Sequence, residues 1–232
     1  MRSVTDYLIF QLTAALGSMG ELAGHERRGS LTWPGRSALV GLMAAAMGIR
    51  RDGDFSALDG LSVAVAIFSP GDALRDYHTV ETVPSAAARR PQSRPAAMAE
   101  AGKLKTNTTI TLRDYRTGPL YGVAVWGGAL EPIRDALLRP VFTLYLGRKS
   151  CPLAAPLAPE IVGADSPEVA LEALRLPGWR ADTTAKVMIS DGYPDAARQE
   201  IRHDIASDRR LWHFAPREFA VLPVTITAGG AA

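Results

Sequence analysis

Residues 33–49 read "WPGRSALVGLMAAAMGI", and this stretch decides how the first half of the chain folds. Pro34 and Ser37 are typical of a helix N-terminus, and the Ala, Leu and Met residues that follow are good helix formers. Residues 4–13 ("VTDYLIFQLT") and 61–69 ("LSVAVAIFS") flank this helix, and their β-branched and aromatic side chains predict buried strands. The sequence therefore predicts a β-α-β unit whose helix lies close to a sheet.

A second unit of the same kind follows. Residues 120–127 ("LYGVAVWG") predict a strand, residues 129–140 a short amphipathic helix, and residues 141–146 ("VFTLYL") another strand. Two such units predict an α+β fold of the ferredoxin-like class, in which two helices cover one face of an antiparallel sheet. The other face would be free, as in RNA recognition motifs, which stack bases there.

A long insertion at residues 71–117 separates the two units. The alternation in "TTITLRDY" (108–115) indicates an exposed hairpin arm. Residues 84–116 contain seven cations and two acids, whereas the whole chain has a net charge of only +2. A basic segment is typical of a phosphate-backbone contact, although a solvated loop without a partner can have the same charge. The length and the charge together indicate a functional arm.

The last third of the chain is less regular. Residues 166–174 predict a capped helix, and residues 184–190 and 219–226 predict strands. Residues 195–211 fit either a helix or a loop. We therefore predict a ferredoxin-like domain over residues 1–150 and a small β-rich extension over 151–232 that packs on it.

The composition restricts the class of protein. The chain has 232 residues, of which 47% are hydrophobic, and a single cysteine, so it cannot form an internal disulfide framework. There is no targeting signal, and the longest apolar run, at 38–49, is too short to span a bilayer. These features predict a soluble, cytoplasmic protein that does not contact a membrane.

Cofactor and metal motifs are absent. The sequence has no Walker loop and no GxGxxG, HExxH or CxxC pattern, and its four histidines are far apart. We therefore expect neither a cofactor nor a metal. Cys151 has no histidine near it in sequence to act as a base, so we interpret it as a small apolar residue at a strand end.

Two short stretches could bind anions. In "YLGRKSCPL" (145–153), a glycine permits close backbone approach, and exposed amides with Arg148 and Lys149 could bind a phosphate. In "PGRS" (34–37), Arg36 and Ser37 are at a predicted helix N-terminus, where amides and the helix dipole favour anions. The alternatives are an N-cap for Ser37 and a surface ion pair for Arg36.

Aromatic side chains next to cations are typical of proteins that bind single-stranded nucleic acid. Tyr115 lies between Arg113 and Arg116, and Tyr77 precedes His78. A packed turn at "DYH" is the structural alternative.

Several stretches together resemble the CasD family, the RAMP-type CRISPR RNA 5′-handle-binding subunit of type I-E CRISPR Cascade. They are "WPGRSALVGLMAAAMGIRRDG", "LRDYHTVETV", "YLGRKSCPL" and "PREFAVLPV", in the family's order. One departure is "LGSMGELAG" (16–24), which stands where many members have an aromatic residue. The resemblance implies a ferredoxin-like RAMP core with a protruding thumb. It also implies a non-catalytic subunit that binds and caps the 5′ handle and supports RNA-guided recognition of foreign DNA.

The partners implied are the CRISPR RNA, the backbone RAMP subunit and the large PAM-reading subunit, with target DNA reached indirectly. No cofactor is implied. The RNA-binding candidates are the positions that match the family's motifs together with basic and aromatic residues of the insertion at 71–117. They are Arg36, Ser37, Tyr77, His78, Arg89, Arg90, Lys103, Lys105, Arg113, Tyr115, Gly147, Arg148, Lys149 and Ser150.

Two other functions remain open from the residues alone. One is a metal-independent endoribonuclease that processes CRISPR repeat RNA, as in the type I-C relative. It would need a base such as His78, a cation such as Lys103 or Lys105, and Tyr115 to be brought together. The other is an unrelated ferredoxin-like domain of a protein assembly.

Overall fold

The computed structural model describes residues 4–21, 26–84, 93–102, 106–211 and 213–229. The strands are β1 Thr5–Thr13, β2 Leu16–Gly17, β3 Arg27–Arg28, β4 Ser62–Ser69, β5 Asp72–Thr82, β6 Asn107–Thr117, β7 Leu120–Trp126, β8 Glu160–Ala164, β9 Thr184–Ser190, β10 Gln199–Asp208 and β11 His213–Thr227. The helices are α1 Arg36–Ala46, α2 Ser56–Asp59, α3 Arg94–Ala101, α4 Glu131–Leu138 and α5 Pro167–Glu172. None of these helices is long and apolar enough to cross a bilayer.

Seven strands form one sheet in the order β10-β11-β9-β4-β7-β1-β8, and every neighbouring pair in it is antiparallel. The predicted mixed fold with an antiparallel sheet is thus confirmed. Four adjacent strands, β4-β7-β1-β8, follow the chain as β1-α1-β4 and β7-α4-β8. Strands β8 to β11, all after residue 150, extend the sheet on both sides. The division into domains at residue 150 stays a prediction.

Both faces of the central strands of the sheet are buried. In β4, Val63 and Val65 belong to the same apolar cluster as Leu39 and Met43 of α1. The intervening Ala64, with Ala66 and Phe68, belongs to a second apolar cluster that includes residues of α5 on the opposite side. This explains why β4 and β7 are apolar at almost every position, the pattern of strands buried on two sides. The expected free face for base stacking is therefore wrong for this part of the sheet.

Two predicted elements differ from the structure. Residues 141–146 do not form a strand, because the amides of Val141 and Phe142 donate to the carbonyls of Ala46 and Ala45 at the end of α1. These bonds satisfy helix-terminal carbonyls that have no partner within the helix. The strand that follows α4 in the group β4-β7-β1-β8 is instead β8. Residues 195–211 are neither helix nor loop, since they contain β10, in which exposed and less exposed residues largely alternate.

A second, smaller sheet consists of β2, β3, β5 and β6. Its two long strands, β5 and β6, lie between β4 and β7 in the sequence. Strands β5 and β6 pair along their whole length, from Asp72 opposite Thr117 to Thr82 opposite Asn107. On its other edge β6 pairs with β2 and β3. We call β5, β6 and β3 the arm. The predicted hairpin is therefore present, and it also includes a strand from the Gly-rich stretch after β1.

Candidate nucleic-acid interface

The pairing of β5 with β6 sorts the arm's side chains onto two faces. Residues directly opposite in an antiparallel pair share a face, and successive residues alternate between faces. One face, the Arg75 face, holds Arg75, Tyr77, Leu112 and Asp114; the other, the Arg113 face, holds Asp76, His78, Arg113 and Tyr115. The predicted neighbours Tyr77 and His78 therefore point in opposite directions and cannot contact the same base.

The Arg75 face contains a three-residue ion cluster. Asp114 accepts hydrogen bonds from Arg75 (Nε to Oδ1, 2.8 Å) and from Arg27 of β3 (Nη2 to Oδ2, 2.6 Å). The bond from Arg75, and then that from Arg27, lower the pKa of the Asp114 carboxyl to about 2. Tyr77 extends from the same face and is 70% exposed, so its ring is available for stacking.

The Arg113 face is partly closed by the turn that follows Leu146. Arg148 lies over the ring of Tyr115 at 4.6 Å, and its guanidinium donates to the carbonyls of Asp114 (3.3 Å) and Arg28 (3.1 Å). Tyr115 is only 6% exposed, so Arg148 rather than a base packs on its ring. The Nε2 atom of His78 on this face lies 2.6 Å from Oδ2 of Asp76.

The turn itself depends on Gly147. Its φ is +89°, and a Cβ at this position would lie 1.6 Å from the carbonyl oxygen of Ser18. The amide of Ser18 donates to the Leu146 carbonyl (3.0 Å), which fixes the turn against the chain after β1. Lys149 and Ser150 are exposed, and no ion pair joins Lys149 to any residue in the described ranges. Cys151 is buried, which agrees with its predicted role as a small apolar residue.

The entry of α1 already holds an anion. The N-cap is Gly35, not Ser37, and the backbone amide of Arg36 donates to Oδ2 of Asp204 from β10 (2.8 Å). The Arg36 side chain is 8% exposed and donates to the carbonyls of Asp59 (2.6 Å) and Leu61 (2.7 Å). A carboxylate thus takes the place expected for a phosphate, and Arg36 has a structural role in this chain.

Ser37 is in α1 and is not part of the arm. It lines a cavity of about 280 Å³ between α1 and β10, whose wall also includes Tyr145 and Phe55. Of the stretch "YLGRKSCPL", therefore, Tyr145 lies at the same cavity as the start of α1, whereas Arg148 and Lys149 do not line it.

The structure therefore separates the predicted residues. Gly147 to Ser150 are close to the Arg113 face, Tyr77 is on the Arg75 face, and Arg36 and Ser37 are at α1. Arg89, Arg90, Lys103 and Lys105 lie outside the described residues. No group of three or more His, Cys, Asp or Glu in the described ranges could hold a metal ion.

Sequence reasoning missed three cations of the arm, Arg27, Arg28 and Arg75. The signal was present as an adjacent pair of arginines in the stretch after β1 and an arginine two residues before Tyr77. Arg27 and Arg28 come close to β6 only because β3 pairs with it in parallel, with Arg27 beside Leu112. Local patterns do not indicate such a pairing.

Comparison with known proteins identifies the class. The model of the family described as CRISPR-associated protein (Cas_Cas5) matches residues 7–220. The Cascade subunit CasD of the CRISPR system of Escherichia coli (strain K12) is 33% identical over an alignment of 183 residues, and the match covers 71% of this chain and 75% of that protein. The chain belongs to the Cas5 family of CRISPR-associated proteins, and the resemblance to CasD is confirmed.

Solved structures agree with this assignment. A chain of a CRISPR RNA-guided surveillance complex is 27% identical and superimposes with a TM-score of 0.69, over 99% of this chain and 93% of that chain. A second structure, described as a Cas protein, is 23% identical with a TM-score of 0.59 over 95% of each chain, and it shows the shared fold.

Proposed function

We propose that this chain is the subunit of a type I-E CRISPR Cascade complex that binds and caps the 5′ handle of the CRISPR RNA. The observation that carries the proposal is the concentration of cations around the arm. These cations are Arg27, Arg28, Arg75, Arg113, Arg148 and Lys149. A basic surface beside an exposed aromatic residue is suited to single-stranded RNA.

The architecture supports the same proposal. The strand order β4-β7-β1-β8, with the connections β1-α1-β4 and β7-α4-β8, is that expected for a ferredoxin-like RAMP core. We assign the hairpin of β5 and β6 to the thumb, because it is inserted between β4 and β7 and carries the exposed Tyr77.

The proposed partners are the backbone RAMP subunit and the large PAM-reading subunit, with target DNA contacted through the complex in the cytoplasm. Support comes from the relative described as a Cascade subunit and from the similar chain in an RNA-guided surveillance complex. Isolation of the tagged chain together with a CRISPR RNA and these two subunits is the result expected.

We propose that the subunit does not cleave RNA. His78 and Tyr115 share a face, but they are four residues apart along the hairpin, or about 13 Å at 3.3 Å per residue. His78 is paired with Asp76, and the Tyr115 ring lies beneath Arg148. Acid–base catalysis on one phosphate needs both groups within hydrogen-bond reach of it.

A binding experiment on the isolated full chain tests the proposal. Fluorescence anisotropy with a labelled RNA of the repeat sequence gives the affinity at several salt concentrations, and a denaturing gel of the same mixtures shows whether the RNA is intact. We expect intact RNA, and a log–log salt slope that decreases by about 0.7 in Lys149→Ala, the value for one phosphate contact with a single strand.

The matched control is Lys186→Ala, which removes the same charge from an exposed position on β9. It should leave the slope unchanged. Equal slopes for both variants would contradict a phosphate contact at Lys149, and specific cleavage of the repeat would contradict the non-catalytic role.

A further inference from the structure

We propose that Asp114 is a positioning residue that holds Arg27 and Arg75 as a paired phosphate-binding site on the Arg75 face of the arm. The ligand is the phosphodiester backbone of single-stranded RNA. This inference rests on the proposed RNA-binding function and assigns a phosphate contact to two cations that were not among the candidates named from sequence.

The geometry of the cluster leaves donors directed outward. Arg27 uses Nε (2.8 Å) and Nη2 (2.6 Å) on Asp114 Oδ2, and Arg75 uses Nε on Oδ1 (2.8 Å) and Nη2 on Oδ2 (3.2 Å). Each guanidinium therefore keeps its Nη1, with two N–H donors, and within the described ranges no hydrogen bond from either Nη1 is present. The carboxylate of Asp114 holds both arginines, and their two Nη1 groups, one from each residue, can donate to the oxygens of one phosphate.

Exposure shows which side of the cluster faces solvent. The side chains of Arg27 and Arg75 are 56% and 45% exposed, whereas that of Asp114 is 14% exposed. The carboxylate thus lies beneath the two guanidinium groups, between the strands that carry them. A ligand approaching this face meets the arginines first.

The negative charge of Asp114 repels RNA, so its presence in a basic binding surface requires an explanation. Asp114 holds each of the two arginines in one rotamer, and this supplies the explanation, since a long side chain loses rotamer entropy when it is immobilised on binding. Asp114 imposes this order before the RNA arrives. Tyr77, two residues from Arg75 on the same face, offers its ring to a neighbouring base.

The decisive variant is Asp114→Asn, which removes one negative charge at almost constant shape. Charge alone predicts tighter RNA binding. Positioning predicts weaker binding, by about fivefold, because the amide no longer holds both guanidinium groups by charge-assisted bonds. The measurement is the anisotropy titration of the full chain with labelled repeat RNA at fixed salt, with thermal melting as a check of folding.

Glu200→Gln is the matched control. Glu200 on β10 accepts from Nε (3.0 Å) and Nη2 (2.5 Å) of Arg198, so this variant removes the same charge from a similar ion pair away from the arm. Its RNA affinity should be unchanged or slightly higher. Binding by Asp114→Asn as tight as that of Glu200→Gln would overturn the inference.

A double variant keeps the inference testable if Asp114→Asn does not fold. Arg27→Ala with Arg75→Ala should lower the magnitude of the log–log salt slope by about 0.7, the value for one phosphate contact with a single strand, because both arginines bind the same phosphate. Arg175→Ala with Arg198→Ala, which removes two other exposed, ion-paired arginines, should leave the slope unchanged. An unchanged slope in the variant Arg27→Ala with Arg75→Ala would overturn this inference but not the proposed function. A wild-type chain that does not bind the RNA would overturn both.

Discussion

Gly147 and Gly41 have opposite conformational requirements. Gly147 has a φ of +89°, and a Cβ there would overlap the Ser18 carbonyl oxygen. Gly41 lies within α1, and a Cβ there would meet nothing within 4 Å. Gly147 must be glycine for the turn of "YLGRKSCPL" to close on the chain after β1. Gly41 weakens its helix, and no described residue lies close enough to require a glycine there.

Alanine substitutions should therefore change stability in opposite directions. Gly147→Ala should lower the free energy of unfolding by about 2 kcal/mol or more, because both the backbone conformation and the space are unsuitable. Gly41→Ala should raise it by about 0.5–1 kcal/mol through helix propensity. Urea denaturation measures both, and a neutral Gly147→Ala would contradict the close approach of the turn to Ser18.

At the scale of elements, the arm is a strand, β6, paired on both edges. Strand β5 covers one edge completely, and β2 and β3 cover parts of the other. The Asp114 cluster joins β5, β6 and β3 across these pairings through side chains. The arm is thus held by contacts between segments that are distant in sequence.

The cluster should make the arm sensitive to acid. Hydrogen bonds from Arg75 and Arg27 depress the pKa of Asp114 from 3.8 to about 2. A depressed folded-state pKa contributes stability above the unfolded value, and this contribution is lost as pH falls from about 4 to about 2. The difference in melting temperature between the wild type and Asp114→Asn should therefore shrink over this interval. A difference that does not vary with pH would contradict the ion cluster.

At the scale of the whole molecule, a buried ion network joins the C-terminal strands to the first helix. Arg217 of β11 donates to both oxygens of Asp204 (2.7 and 2.8 Å) and also contacts Asp191. Asp204 in turn accepts from the amide of Arg36 at the start of α1. The backbone amide of Arg36 and the side chain of Arg217 therefore share the carboxylate of Asp204, which lies 168 positions from Arg36 in sequence.

Breaking this network should be costly. Asp204→Ala removes the helix cap and the main partner of a buried guanidinium, so we expect the free energy of unfolding to fall by about 3 kcal/mol. Glu200→Gln on the same strand disrupts an exposed pair and should cost less than about 1 kcal/mol. Urea denaturation of both variants tests this, and equal losses would show that burial of the pair does not matter.

Elements with a strong local period could be predicted from sequence. Helices α1, α4 and α5 and strands β1, β4, β7 and β9 were all found close to the predicted ranges. Residues 141–146 and 195–211 were not predicted correctly, because their conformations depend on the end of α1 and on β11. Of the two candidate tyrosines, Tyr77 is exposed, whereas Tyr115 is covered by a side chain 33 residues later, and the RNA-binding role of both stays a prediction.

The sequence by itself determined the antiparallel α+β class, the basic insertion and, through its motifs, the Cas5 family. Those properties depend on composition, on the local pattern of apolar residues and on short sequence motifs, all of which are local features of the chain. Only the tertiary structure decided that Asp204 occupies the helix entry, that Arg148 covers Tyr115, and that Asp114 joins Arg27 to Arg75. Each of these contacts joins side chains from different strands or loops, and strand pairing, not local pattern, brings such side chains within hydrogen-bond distance.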